Sequence, residues 1–79
     1  MTTIFDKPTL GDILHSYRKK HSISRKVLAD RLGVTLNTVV HWEDNSYQPS
    51  LRSMVKIAEE LNMPLTELYK IRNRSGISH

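Results

Sequence analysis

The chain has 79 residues, no cysteine, and 12 Lys and Arg against 8 Asp and Glu, for a formal net charge of +4. That length allows one small domain, which buries only a little over half of its chain surface, and the lack of cysteine excludes a disulfide framework and a thiolate metal site. With 38% hydrophobic residues, stability must come from helix packing, aided by dimerisation where it occurs; the positive excess suits a polyanionic partner.

No run approaches the roughly 18 apolar residues that a membrane span needs. The N-terminal MTTIFDKPTL has no basic region followed by an apolar segment, so no secretory signal is expected and the protein is expected to be cytoplasmic. Residues Met1–Pro8 read as an arm, because Pro8 breaks any helix before it. Ile4 and Phe5 are expected to fold back on the domain, with a dimer contact or disorder as alternatives. Thr9 is an N-cap, and Asp12 three residues on completes a weak capping box. It opens a first helix from Leu10 to about Lys20, with the stripe Leu10, Ile13, Leu14 and Tyr17. Gly11 in its first turn costs a little under about 1 kcal/mol relative to Ala, so this helix rests on periodicity. Lys19, Lys20 and His21 suit the negative end of the helix dipole. Ile23 then anchors the link to the next helix.

Ser24 caps a second helix whose stripe is Val27, Leu28 and Leu32. Gly33 follows where a helix ends at positive φ, and Val34 plugs the corner. Thr35 caps a third helix, Leu36 to about Asp44. Val39, Trp42 and Glu43 lie on its core stripe, with Thr38 beside Trp42. Leu36, Asn37, Val40, His41 and Asp44 lie on the opposite face. A merely solvated face more often carries Lys and Glu. This mixture suits base edges in the major groove, where Asn can bind adenine at two points and an aliphatic can meet a thymine methyl. Helix, Gly-containing turn and helix is the helix-turn-helix signature.

Phosphate-contacting candidates surround that motif. Ser24 and Arg25 sit at a helix N-terminus, where backbone N–H groups and a cation receive an anion. An Arg is mildly unfavourable there for structure alone, which favours the functional reading. Thr35, Thr38, Ser46 and Arg52 are further candidates, while Lys26 and Arg31 are solvated or peripheral phosphate contacts. The loop Asp44–Pro49 has turn chemistry throughout, and its Tyr47 faces a phosphate or a dimer partner. Ser50 caps a fourth helix with the buried stripe Leu51, Met54, Val55, Ala58 and Leu61. Asn62 ends it, and a fifth helix carries Leu65, Leu68 and Tyr69, with Ile71 exposed near its end. Arg72–His79 is polar and expected to fray. The expected architecture is all-α, a compact bundle of five helices, divided as arm 1–8, domain 9–71 and tail 72–79.

From Leu10 to Leu68 the chain resembles the lambda-repressor/Cro-like, or XRE, helix-turn-helix family. The matching pieces are Arg18, Leu28–Ala29, Leu32–Val34, Trp42–Glu43, Pro49-Ser50 and Leu61–Leu65, in the family's order and spacing. The resemblance implies an ion pair between Arg18 and Glu43 that locks the first helix against the third. It also implies that Leu36, Asn37 and His41 hold the base-reading positions. Three positions depart from the family's habit: Arg25 where Gln is commonest, Asn45 where Gly is frequent, and Leu36 where a polar residue is usual. The implied function is a transcriptional regulator of repressor type, binding roughly palindromic double-stranded DNA as a homodimer and needing no cofactor. Tyr69, Ile71 and the arm are the dimer candidates. The same fold also serves as a protein-interaction module or as an antitoxin that binds a toxin, which stands as the alternative. Catalysis has no support. His15, His21, His41 and His79 are scattered without a paired metal-site spacing, and there is no nucleophile elbow or glycine-rich phosphate loop.

Overall fold

The computed structural model describes residues 8–75. It contains α1 (Leu10–His21), α2 (Arg25–Leu32), α3 (Leu36–Glu43), α4 (Leu51–Leu61) and α5 (Leu65–Ser75). Among the described residues there is no strand, and the architecture is the expected all-α bundle of five helices. The expectations for Ile4 and Phe5 in the arm, and for the end of the tail, lie outside the described residues.

Local chemistry sets the helix starts. The Thr9 hydroxyl accepts from the Asp12 amide at 3.1 Å while the Asp12 carboxylate accepts from the Thr9 amide at 3.0 Å, a complete capping box. Ser24, Thr35 and Ser50 each accept from the amide three residues on, at 3.1, 3.2 and 3.3 Å. Helix ends follow the left-handed rule: Ser22 at φ 54°, Gly33 at φ 72° and Asn62 at φ 57° close α1, α2 and α4.

The core joins Leu10 and Leu14 of α1, Leu28, Ala29 and Leu32 of α2, and Val39 and Trp42 of α3 to Met54, Ile57 and Ala58 of α4 and Leu68 and Ile71 of α5. Ile13, Tyr17, Ile23 and Val34 pack against it, half-buried. Four expectations are corrected. Val27 is exposed, and Ala29 takes its place in the core. On α4, Leu51 and Val55 are exposed while Ile57, absent from the expected stripe, is fully buried. Met54, Ile57, Ala58 and Leu61 are spaced i, i+3, i+4 and i+7, so Val55 falls about a quarter-turn away. On α5, Ile71 is buried, not exposed, because it stands one turn after the buried Leu68. The helix runs on through Ser75, and Arg72 Nε donates to the Pro49 carbonyl at 2.8 Å. Residue 72 therefore belongs to the packed domain and not to a frayed tail.

Candidate nucleic-acid interface

α3 has two unlike faces. Val39 and Trp42 are buried in the core, while Leu36, 46% exposed, and Asn37 stand on the surface. Val40 and His41 are half-buried beside them. The four residues expected to read bases therefore share one surface, but only Leu36 and Asn37 are fully open. The His41 ring leans on Tyr47, with centroids 4.7 Å apart and planes at 51°.

A cluster around Glu43 holds this helix from behind. Arg18 Nε donates to Glu43 Oε2 at 2.5 Å and Arg18 Nη2 to Oε1 at 3.0 Å, a two-point pair. Arg18 Nη1 also reaches the Ile23 carbonyl at 3.3 Å, which ties the α1–α2 link to the same guanidinium. His15 Nδ1 lies 3.7 Å from Glu43 Oε1. Burial alone would raise the Glu43 carboxyl, but the hydrogen bonds from Arg18 and Arg25 outweigh it and hold it below its ordinary range. The same carboxylate keeps the Arg18 guanidinium firmly charged.

The cations expected at phosphates divide. Arg25, half-exposed, donates through Nε to Glu43 Oε1 at 3.2 Å. Its guanidinium is thus moored at the start of α2 next to α3, beside the Ser24 cap. Arg52 is exposed in the first turn of α4. Arg31 is on other duty: its Nη1 donates to Glu60 Oε2 at 3.0 Å, and Tyr17 Oη donates to the same oxygen at 2.6 Å. The Tyr17 and Arg31 hydrogen bonds hold the Glu60 carboxyl below its usual range, and Glu60 in turn pushes the Tyr17 hydroxyl up. Arg31 thus braces α2 against α4.

The hydroxyls divide likewise. Thr35 Oγ1 and Thr38 Oγ1 lie 2.9 Å apart, with Thr38 half-buried. The pair keeps a hydroxyl proton in hand at the head of α3. Ser46 donates both its amide, at 2.9 Å, and its hydroxyl to Asp44 Oδ1. Those two bonds hold the Asp44 carboxyl below its usual value. The expected phosphate donor at Ser46 is therefore committed to a neighbouring carboxylate, an anion that would also repel a phosphate.

Sequence reasoning missed Asn45. Its Oδ1 accepts from the Gly11 amide at 3.2 Å and its Nδ2 donates to Thr9 Oγ1 at 3.1 Å. The residue stands at φ 62°, the left-handed turn that its departure from Gly left open. Its side chain adds what Gly cannot, a tie from the end of α3 to the start of α1. The only signal for it in sequence was a turn-forming residue type.

The model of the helix-turn-helix family matches residues 14–68. An HTH-type transcriptional regulator of Archaeoglobus fulgidus, uncharacterised, is 34% identical over 56 residues, covering 71% of this chain and 80% of that protein. The chain belongs to the lambda-repressor/Cro-like helix-turn-helix family. A second uncharacterised HTH-type regulator, from Methanocaldococcus jannaschii, is 32% identical over 56 residues, 71% of this chain and 85% of the relative. Two solved structures share the fold. A hypothetical protein from E. coli superposes with a TM-score of 0.77 at 23% identity, over 86% of this chain and 71% of that one. The DNA-binding domain of the P22 C2 repressor superposes with a TM-score of 0.72 at 21% identity, over 84% and 87%. In this helix-turn-helix domain, α2, the Gly33 turn and α3 form the motif, with α3 in the position of its second helix.

Proposed function

We propose that this domain is a sequence-specific, double-stranded DNA-binding transcriptional regulator, acting in the cytoplasm as a repressor and without catalysis. α3 enters the major groove. Leu36 and Asn37 lead, with Val40 and His41 beside them, and Asn37 makes a two-point contact with an adenine edge. Ser24, Arg25, Thr35, Thr38 and Arg52 face the sugar-phosphate backbone and set the register of the helix. The observation that carries the reading is the division of α3. A helix pinned by Val39, Trp42 and the Arg18–Glu43 pair presents an exposed aliphatic and an exposed amide on its free side.

One such helix reads few base pairs, so the operator is proposed to be roughly palindromic and the protein to bind it as a homodimer, with half-sites about 34 Å or a multiple apart. The exposed Leu51, Leu65 and Tyr69 side chains, which line a shallow apolar groove between α4 and α5, are the surface offered to a second copy.

Selection of bound sequences from random duplexes tests the reading. A palindromic consensus is expected, with log affinity falling against log salt by about 0.9 for each phosphate neutralised. Absence of any enriched sequence at low salt would favour the same fold used as a protein-interaction module.

A further inference from the structure

His41 Nδ1 is buried and has no hydrogen-bond partner. Asp44 does not serve it: the carboxylate interacts with His41 through space, but its Oδ1 is taken by the amide and hydroxyl of Ser46. The ring is held instead by its tilted contact with Tyr47, a geometry aromatic pairs favour. Tyr47 itself is 60% exposed, so most of its surface serves no core.

In a neutral imidazole one nitrogen carries the hydrogen and the other a lone pair. Nδ1 is unsatisfied in either tautomer, but an unpaired acceptor is tolerated in protein interiors more often than a buried N–H with no acceptor. Placing the hydrogen on Nε2 leaves the donor at the edge of the ring that keeps solvent access. From this we infer that His41 presents an Nε2–H donor on the groove face of α3, and that Tyr47 is the positioning residue that fixes its direction. The inference rests on the proposed entry of α3 into the major groove and names what His41 reads there: a base edge rich in acceptors. Guanine, with N7 and O6 side by side, fits; cytosine, which offers the N4 amino donor, does not. Tyr47 acts through His41 and touches no base.

Two measurements test this. The first is the nitrogen spectrum of the imidazoles in the free protein, with His41 assigned by its loss in His41→Gln. The Nε2–H tautomer is expected, and the Nδ1–H tautomer would overturn the inference without reference to DNA. The second is base preference, scored on the consensus selected by the wild-type protein. One position in each half-site is expected to favour guanine over cytosine by roughly tenfold, within the range of a good base contact. His41→Ala should abolish that preference, and Tyr47→Ala should relax it severalfold at the same position. The double variant should be no worse than His41→Ala alone, since coupled residues are not additive. Tyr47→Phe keeps the ring and should keep the preference. Uniform weakening of all sequences by Tyr47→Phe would make Tyr47 a phosphate contact and overturn its positioning role. A cytosine preference lost in His41→Ala would overturn the donor assignment. If the wild-type protein selects no sequence, the groove reading fails with it; if it selects one that His41→Ala leaves unchanged, only the present inference fails.

Discussion

Gly11 and Glu43 meet backbone to backbone: a Cβ placed on Gly11 would lie 2.2 Å from the Glu43 carbonyl oxygen and 2.8 Å from its carbonyl carbon. Only a residue without a side chain lets α1 come this close to the end of α3. The contact sits beside two polar ties between the same segments, the Arg18–Glu43 pair and the Asn45 bridge to Thr9 and Gly11. From sequence, Gly11 is merely a cost to α1; in the fold it sets the distance at which the groove-facing helix is held.

Gly11→Ala should therefore destabilise the domain although Ala is the better helix former. The gain in propensity is about 1 kcal/mol. The opposing atoms are backbone and cannot swing aside, so overpacking should cost more than that gain, for a net loss of about 1–2 kcal/mol. Urea unfolding measures it, and an unchanged or raised midpoint would count against the close approach.

Removing one partner of the Arg18–Glu43 pair should be costly, because Glu43 stays buried. Arg18→Met keeps the aliphatic stem and is expected to lose about 3 kcal/mol, the lower end for a broken buried pair, since Arg25 still reaches the carboxylate. The pair also predicts a pH dependence. Glu43 is held below its ordinary value of 4.5 by Arg18 and Arg25, despite burial. A carboxyl depressed in the folded state contributes stability that is fully present above its unfolded pKa and is lost as pH falls through the folded one. Unfolding free energy measured from pH 6 downward should therefore begin to drop near that ordinary value and keep dropping below it. Glu60, depressed by Tyr17 and Arg31, adds to the same slope. Glu43→Gln should flatten part of it.

Asn45 separates a conformational requirement from a side-chain one. Asn45→Gly keeps the positive φ but loses the bonds to Gly11 and Thr9, a cost of about 1–2 kcal/mol for two ordinary hydrogen bonds. Asn45→Ala loses the bonds and adds the left-handed penalty, about 1 kcal/mol more. Thermal or denaturant unfolding of the two variants should rank Ala below Gly, and the reverse order would deny the turn geometry its role.

On DNA, Asn37 and Arg52 should fail differently. Asn37→Ala is expected to cost about 1–3 kcal/mol against the selected sequence and much less against random duplex. Arg52→Ala should weaken both alike and reduce the salt slope by about one. Titrations at several salt concentrations, on specific and random DNA, distinguish base contact from phosphate contact for each residue.

The helices were legible in the sequence because their signals are local. A cap bonds a side chain to an amide three residues on, and an apolar stripe repeats within one element, so Thr9, Ser24, Thr35 and Ser50 could be read directly. The motif and its family followed from the same short-range order, with Arg18 and Glu43 recognised through the resemblance. Partners distant in sequence were not legible. Arg31 and Glu60 stand 29 residues apart, Gly11 and Asn45 34. Whether a surface Arg meets a phosphate or a carboxylate, as Arg31 and Arg25 do here, depends on which helix face lies opposite. The same holds for Ile57, buried where Leu51 and Val55 are not, and for Ile71, covered by its own domain. Composition and periodicity determine that five amphipathic helices form and where each begins. Crossing angles and close approach, decided only when the helices pack, determine which polar groups are consumed inside the protein and which remain to meet another molecule.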